Sequence, residues 1–399
     1  MVFDLSKCSG CSACMQVCPK DAISWCRDEE GFSFPKVDEA VCVDCGLCRK
    51  VCPYETERSD ADPEIYAAVH KDPKVLRRSS SGGAFTAFSD WILKNQGVVY
   101  GVAYDRELSL HYRRAVNEEQ RNAFRGSKYL QCTAEGMFPL VEKDLRSGKM
   151  VLFTGTPCQI SGLLAVMEQK KVPTEKLYVI DNICHGVASP LVWQEYRSYI
   201  RKKILKGKTI RHFSMRSKRT AWQKQYLECF TEVGNESAVL NEKASWNKLY
   251  LTSYFTRKSC FSCRFTSFDR VGDITLADFW NIENAGVSLN YADGVSLVLV
   301  NSKKGRELLD ACRDQLILEK SSRKACWQIH LERPAPMSSK REQVWERFRQ
   351  DPEGTVAACS RGSVFSGVSR VVTPVLRKLG LYTLVVRTFS VVKSYGKKT

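Results

Sequence analysis

The chain has 399 residues and a formal net charge of +17, and 18 of its residues are cysteines. That length supports a sizeable core and two or three domains, which excludes a lone small electron carrier. No stretch approaches the roughly 18 consecutive apolar residues of a membrane-spanning helix, and no basic, apolar leader precedes Cys8, so the expected location is cytoplasmic.

Charge is unevenly placed. Residues 1–58 carry seven Lys and Arg against ten Asp and Glu, which leaves +20 for the remainder. An acidic front module on a basic body fits an electron-input face joined to a part that meets phosphate-bearing cofactors, nucleic acid or an anionic surface. Solvated lysines with a nucleotide-type cofactor are the simplest of these, and no nucleic acid is expected.

The front module has a repeat. Cys8, Cys11, Cys14 and Cys18 precede Pro19, and the arrangement recurs 34 positions later as Cys42, Cys45, Cys48 and Cys52 before Pro53. In two-cluster ferredoxins each such run gives three thiolates to one cubane and its last to the other. Cys8, Cys11, Cys14 and Cys52 therefore form one 4Fe-4S ligand set, and Cys42, Cys45, Cys48 and Cys18 the second. The x2 gaps let one tight loop present three soft ligands to one cube. Structural zinc and disulfides are the rivals, but zinc takes four ligands in two pairs rather than eight in two quartets.

Residues 19–41 read as a small hairpin, with Cys26 a spare, buried thiol. The polar stretch 55–64 makes a linker and domain boundary. An α/β alternation follows. Ile65 to His70 is a strand, Ser79-Ser80-Ser81-Gly82-Gly83 a turn, and Ala84 to Lys94 a helix with apolar residues at helical spacing. A serine-glycine turn opening a helix offers N–H groups and a positive dipole end to a phosphate, although a serine N-cap needs no ligand. Gly97 to Tyr104 and Leu108 to Val116 form a β-hairpin, and 124–132 offers Arg125, Lys128 and Cys132 beside a glycine.

Met150 to Phe153 is then a buried strand, and Cys158 opens a helix through Met167, where the dipole should lower its thiol pKa. Leu177 to Ile183 is the next strand, Cys184-His185-Gly186 its turn, and Ser189-Pro190 the start of another helix. Cys158 and Cys184 thus sit at strand ends, where open α/β sheets bind ligands. Cys260 and Cys263 form a C-x2-C pair ahead of the strand and turn at 271–280. Four thiols from three stretches suit a third cluster or a zinc site, and the two clusters already present favour a third cluster. Gly294 to Val300 is a buried strand followed by a helix from Arg306. Residues 360–399 contain no acid and carry seven Lys and Arg after Ser369. That tail has the charge for peripheral contact with an anionic membrane, but its apolar residues surround the helix rather than striping it, which favours a docking segment.

In this order, the twin cysteine runs, SSSGG (79–83), GSKY (126–129), GTPCQ (155–159), the Cys-His-Gly turn, Cys260-x2-Cys263 and GDITLADFW (272–280) resemble the beta subunit family of coenzyme F-420 hydrogenases and dehydrogenases. The resemblance covers roughly residues 1–340. It implies an α+β ferredoxin-like dicluster module (1–58) followed by an α/β flavin-binding body (65–150 and 151–340); the basic extension at 341–399 lies outside it. It also implies FAD near Ser80, Ser81, Gly82, Gly83 and Lys128, and a further 4Fe-4S cluster on Cys158, Cys184, Cys260 and Cys263. The flavin would exchange hydride with a deazaflavin or other small organic acceptor, and ferredoxin or another redox partner protein would deliver electrons.

Two other functions fit the sequence. One is an electron-transfer subunit without its own substrate, docked on a partner enzyme. The other is a nucleic-acid-binding iron-sulfur protein, whose best patch is Arg211, His212, Arg216, Lys218 and Arg219 with Phe213 and Trp222 for stacking. His185 is read as a turn residue rather than a proton donor. Trp193, Tyr196 and Tyr199, on one helix, are read as core.

Overall fold

The computed structural model describes residues 4–54, 62–218, 222, 226–231, 237–240 and 245–361. The expected linker lies outside the described residues over 55–61, as does the tail beyond 361.

In the front module the two cysteine loops share a backbone conformation. Gly10 (φ 71°) and Ser12 (φ 77°) are left-handed, as are Asp44 (φ 48°) and Gly46 (φ 73°), 34 positions on. Each loop then turns into a four-residue helix, Ala13–Gln16 and Leu47–Lys50. Between them β1 (Ile23–Arg27) and β2 (Ser33–Val37) pair antiparallel, as the hairpin spacing predicts. Cys26 proves half-buried rather than buried, because β1 is an edge with its own solvent face, and its thiol donates to the Phe34 carbonyl at 3.4 Å.

The body is built on an eight-stranded mixed sheet. Its strands are β3 (Glu64–His70), β4 (Val98–Tyr104), β5 (Leu110–Ala115), β6 (Val151–Gly155), β7 (Leu177–Asn182), then, after a separate antiparallel sheet of β8 (Ile210–Ser217), β9 (Tyr226–Thr231) and β10 (Ser237–Leu240), β11 (Ile274–Asp278), β12 (Ser296–Val300) and β13 (Leu316–Lys320). The order is β13-β3-β12-β11-β7-β6-β4-β5, with β11, β7, β6 and β4 parallel and the outer strands antiparallel. The sheet is thus α/β only at its centre. The buried central strands read as near-continuous apolar runs, as strands covered on both faces must.

Local chemistry places the helix starts. Thr156 and Gln159 form a capping box with Pro157 in the first turn, so the helix runs Pro157–Gln169, slightly longer than the pattern predicts. Ser302 caps Lys303–Ala311, three residues ahead of the expected start at Arg306. Gly305 sits in that first turn because an added Cβ would fall 2.1 Å from the Asp273 carbonyl oxygen. Ser189 and Pro190 open Pro190–Tyr199 as expected, and Trp193, Tyr196 and Tyr199 are core residues, 3%, 0% and 8% exposed.

The front module is packed onto the body. Cys11, Ala13, Val17 and Val51 share a buried cluster with Phe153, Ile160 and Leu163. Gly162 makes this approach close: an added Cβ there would stand 3.1 Å from Ala13 Cβ and 3.2 Å from Cys11 Sγ. The stretch expected as a basic extension from 341 begins as two helices of the body, Arg341–Gln350 and Pro352–Arg361. Trp345, Phe348 and Val356 pack with Trp193 and Trp246. Their charge-rich sequence hid an apolar stripe.

Candidate functional site

Three thiol sets lie in sequence. The described thiols of the front module influence each other across the runs: burial first, then charge repulsion from Cys8, Cys48 and Cys52, pushes Cys14 up to about 12. Cys48 is raised by burial and by Cys45 and Cys18. Cys14 thus lies near both Cys48 and Cys52 of the second run, and Cys48 near Cys18 of the first. Cys18 also accepts the Ala22 N–H at 3.4 Å.

Cys11 links this module to the next set. Its thiol is raised well above the ordinary range by burial and by Cys14, Cys158 and Cys8. Cys158 follows β6 and Cys184 follows β7, two adjacent parallel strands, so their turns open on the same edge of the sheet. The short 3-10 turn Lys258–Ser262 brings Cys260 against them, with Cys263 just after it. Cys184 is raised by burial and then by Cys260, Cys158 and Cys263, and Cys260 is pushed up to about 12 by burial, with Cys158 and Cys263 adding to it. The helix dipole was expected to lower Cys158, but burial outweighs it and the thiol is raised.

Four half-buried thiols side by side cannot all ionise at low cost: burial is the largest cause of the raised values at Cys158, Cys184 and Cys260, and repulsion between thiols adds to it at Cys184 and Cys260; bound iron would favour the thiolates. The all-thiol donor sets suit iron in a sulfide cage. Among the described residues no group of three or more His, Cys, Asp or Glu is gathered tightly enough for a single metal ion. The loops are held from outside: Ser259 Oγ donates to the Cys8 carbonyl at 2.8 Å, and Arg264 Nη1 to the Pro53 carbonyl at 2.9 Å. Tyr54 is half-buried near Cys263, Cys158, Cys260 and Cys11, so the end of the front module reaches the third set.

Cys158, Cys184, Cys260 and Cys263 line a cavity of about 1150 Å³ that is also lined by Ser79, Ser80, Ser81, Gly83 and Lys128. That volume suits a large cofactor. The serine hydroxyls are engaged by protein: Ser79 donates to the Val75 carbonyl, Ser81 to the Val295 carbonyl, and Ser80 accepts the Ser127 N–H. The helix Ala84–Lys94 consequently starts at left-handed Gly83 with no side-chain cap, which leaves its positive end for an anion. Gly82 is different. It is buried away from the cavity, where an added Cβ would meet the Ala68 oxygen at 2.1 Å and the Ser296 nitrogen at 2.4 Å. Its role is strand packing, and its carbonyl accepts the His70 N–H.

Lys128 donates to the carbonyls of Phe124, Arg125 and Gly126, and burial pushes it down to about 7. The rings of His185 and His330 lie 4.1 Å apart, tilted by 42°, on the cavity wall. Burial and then Arg216 push His185 down to about 4; burial and then His185 push His330 down to about 3. Both rings are neutral at physiological pH. His330 and Asp278 carried no motif that sequence reasoning could weigh, though Asp278 lies inside GDITLADFW.

Two cations of the basic patch considered for nucleic acid, Arg216 and Lys218, are taken up by the fold. Arg216 is buried and paired with Asp278 through both terminal nitrogens. Lys218 donates to the carbonyls of Leu76, Ser81 and Asp293. Phe213 is core, and Trp222 stacks on Trp280 at 5.2 Å. Arg219 and the Arg211 side chain lie outside the described residues.

Residues 148–325 match the family model for the C terminus of the beta subunit of coenzyme F420 hydrogenase/dehydrogenase. Residues 7–56 match the 4Fe-4S dicluster domain. Together with the thiol sets, these define an iron-sulfur oxidoreductase subunit built for electron transfer. The chain thus carries, over 148–325, the C-terminal region of the coenzyme F420 hydrogenase/dehydrogenase beta subunit and, at its front, a 4Fe-4S dicluster domain. Among solved structures, a chain of the F420-reducing NiFe hydrogenase complex from Methanosarcina barkeri is 17% identical over 74% of this chain and 94% of that chain, with a TM-score of 0.45. That likeness is too remote to speak to activity. No curated protein matches the sequence. No helix among the described residues is long and apolar enough to cross a membrane.

Proposed function

We propose that this chain is a cytoplasmic iron-sulfur flavoprotein that passes electrons between three 4Fe-4S clusters and FAD and exchanges hydride with a deazaflavin-like or other organic acceptor. One observation carries this reading: Cys158, Cys184, Cys260 and Cys263 line the same cavity as the SSSGG turn and Lys128. Bound there, a flavin supplies the exchange between single electrons and hydride.

The protein's part is placement. The uncapped start of Ala84–Lys94, with Ser80, Ser81 and Gly83 around it, receives the phosphates, and Lys128 adds positive charge at that end. The neutral, tilted pair His185 and His330 bounds the cavity without adding charge where an organic acceptor would lie. Cys11 beside Cys158 joins the dicluster domain to the body.

The second reading is an electron-transfer subunit that docks on a partner enzyme. It draws on the outer cysteine loop, where Cys45 is exposed and Val41 and Val43 are 43% and 58% exposed. Anaerobic stopped-flow separates the two. On the leading reading, dithionite-reduced protein turns over with a deazaflavin, a nicotinamide or another small acceptor. Electron passage to a partner protein alone, with no turnover of any small acceptor, supports the second.

A further inference from the structure

Five arginines among the described residues are less than a tenth exposed: Arg121, Arg216, Arg257, Arg270 and Arg341. Four have carboxylate partners, respectively Asp90, Asp278, Asp181 and Glu30. Arg257, only 1% exposed, has none within ion-pair distance among the described residues. A buried cation without a counter-ion is costly, so a fold that keeps one has something anionic for it to face.

The surroundings of Arg257 identify that anion. Its Nε donates to the carbonyl of Cys8 at 2.7 Å and its Nη1 to that of Ser33 at 3.0 Å, while Nη2 is buried with no hydrogen-bond partner. The guanidinium lies 3.9 Å from the centre of the Phe34 ring, which covers it from that side. It also acts on the third thiol set. Burial is the largest influence on Cys158 and Cys260 and raises both, whereas the Arg257 charge works in the opposite sense on each. One guanidinium is therefore bound to the first set's loop and close enough to favour thiolates in the third. The buried carboxylate of Glu30 is taken by Arg341 and Lys258.

We propose that Arg257 is a positioning residue for the redox centres: the built-in counter-charge shared by the Cys8 set and the Cys158 set, which holds up the reduction potentials of both. An added electron makes a thiolate-ligated cluster more negative, so a fixed neighbouring cation stabilises the reduced form. The outer set, with its exposed Cys45, has no such buried cation among the described residues and is reduced at lower potential. Electrons arriving at the outer loop then run downhill toward the cavity. The part concerning Cys158 rests on the proposed third cluster; the part concerning Cys8 does not.

The test uses the full-length protein, purified anaerobically, as wild type, Arg257→Gln and Arg257→Lys. Iron per chain is counted first, and midpoints are then followed by EPR-monitored redox titration. With iron content unchanged, R257Q lowers the midpoints of two clusters and leaves the third in place, and R257K recovers at least half of each shift. Unchanged midpoints in iron-replete R257Q overturn the proposal. If wild type holds only the two dicluster-domain clusters, the third-site reading fails, and one shifted midpoint still sustains the role of Arg257 at Cys8. Should R257Q lose its iron, wild-type protein labelled with 15N-arginine decides: pulsed EPR of the reduced clusters shows a nitrogen coupling if Arg257 faces them, and its absence overturns the proposal.

Discussion

Both terminal nitrogens of Arg341 grip the carboxylate of Glu30, Nη1 meeting Oε1 at 2.7 Å and Nη2 meeting Oε2. The two side chains are 1% and 8% exposed. This pair ties the hairpin of the dicluster domain to a helix more than 300 residues away, and Nη2 also donates to the Thr256 carbonyl next to Arg257. Arg341→Met strands a buried carboxylate and should cost about 3–5 kcal/mol in urea unfolding. The double variant with Glu30→Gln should be less destabilised than the sum of the single changes. Additive losses would show that the pair is not coupled.

The crossed ligand sets make an asymmetric prediction. Cys18→Ser should remove the outer cluster and spare the one next to the body, so a small reductant still charges the chain while transfer from a ferredoxin slows sharply. Cys52→Ser should remove the cluster beside Cys158 and interrupt both routes. Iron analysis with EPR of the surviving cluster distinguishes the two variants, and identical residual spectra would contradict the crossing.

Lys128 sets a pH dependence. Its folded pKa is lowered to about 7 by burial, below its ordinary value of 10.5. The ammonium is fully charged only below that point, and an anionic ligand at the same end of the cavity favours the charged form. Flavin affinity should therefore weaken as pH rises above about 7, because binding must then take up a proton. Lys128→Arg, which stays charged, should flatten the curve in a fluorescence titration of flavin. A wild-type affinity independent of pH from 6 to about 9 would separate Lys128 from the phosphates.

Gly82 should tolerate no side chain. Its neighbours at 2.1 and 2.4 Å from an added Cβ are backbone atoms of Ala68 and Ser296 in paired strands, which cannot step aside. Gly82→Ala should cost about 1–3 kcal/mol or more, whereas substitutions at Ser80 should affect flavin retention before stability. Thermal unfolding of the two variants reads the contrast directly.

The cluster loops were legible because a cubane dictates ligand spacing, and the repeat at 34 positions carried the backbone geometry with it. The parallel strands around Cys158 and Cys184 were legible from apolar runs and capping residues. What periodicity could not give was direction. Arg216 and Lys218 read as a basic patch, yet one is buried on Asp278 and the other is wrapped by three carbonyls, because pairing partners far along the chain decide which way a cation points. Gly82 read like its neighbours Ser81 and Gly83, since a close approach to another strand leaves no local mark. Arg257 stands three residues before Cys260, but Lys258 and Arg264 flank the C-x2-C pair as closely, so nothing in the sequence marked which of the three cations is buried.

The most direct test of the central claim is the cofactor content of anaerobically purified protein, by iron, acid-labile sulfide and flavin analysis. The account predicts about twelve irons and one FAD per chain. About eight irons and no flavin would contradict it, leaving Cys158, Cys184, Cys260 and Cys263 as half-buried thiols around a cavity with another occupant.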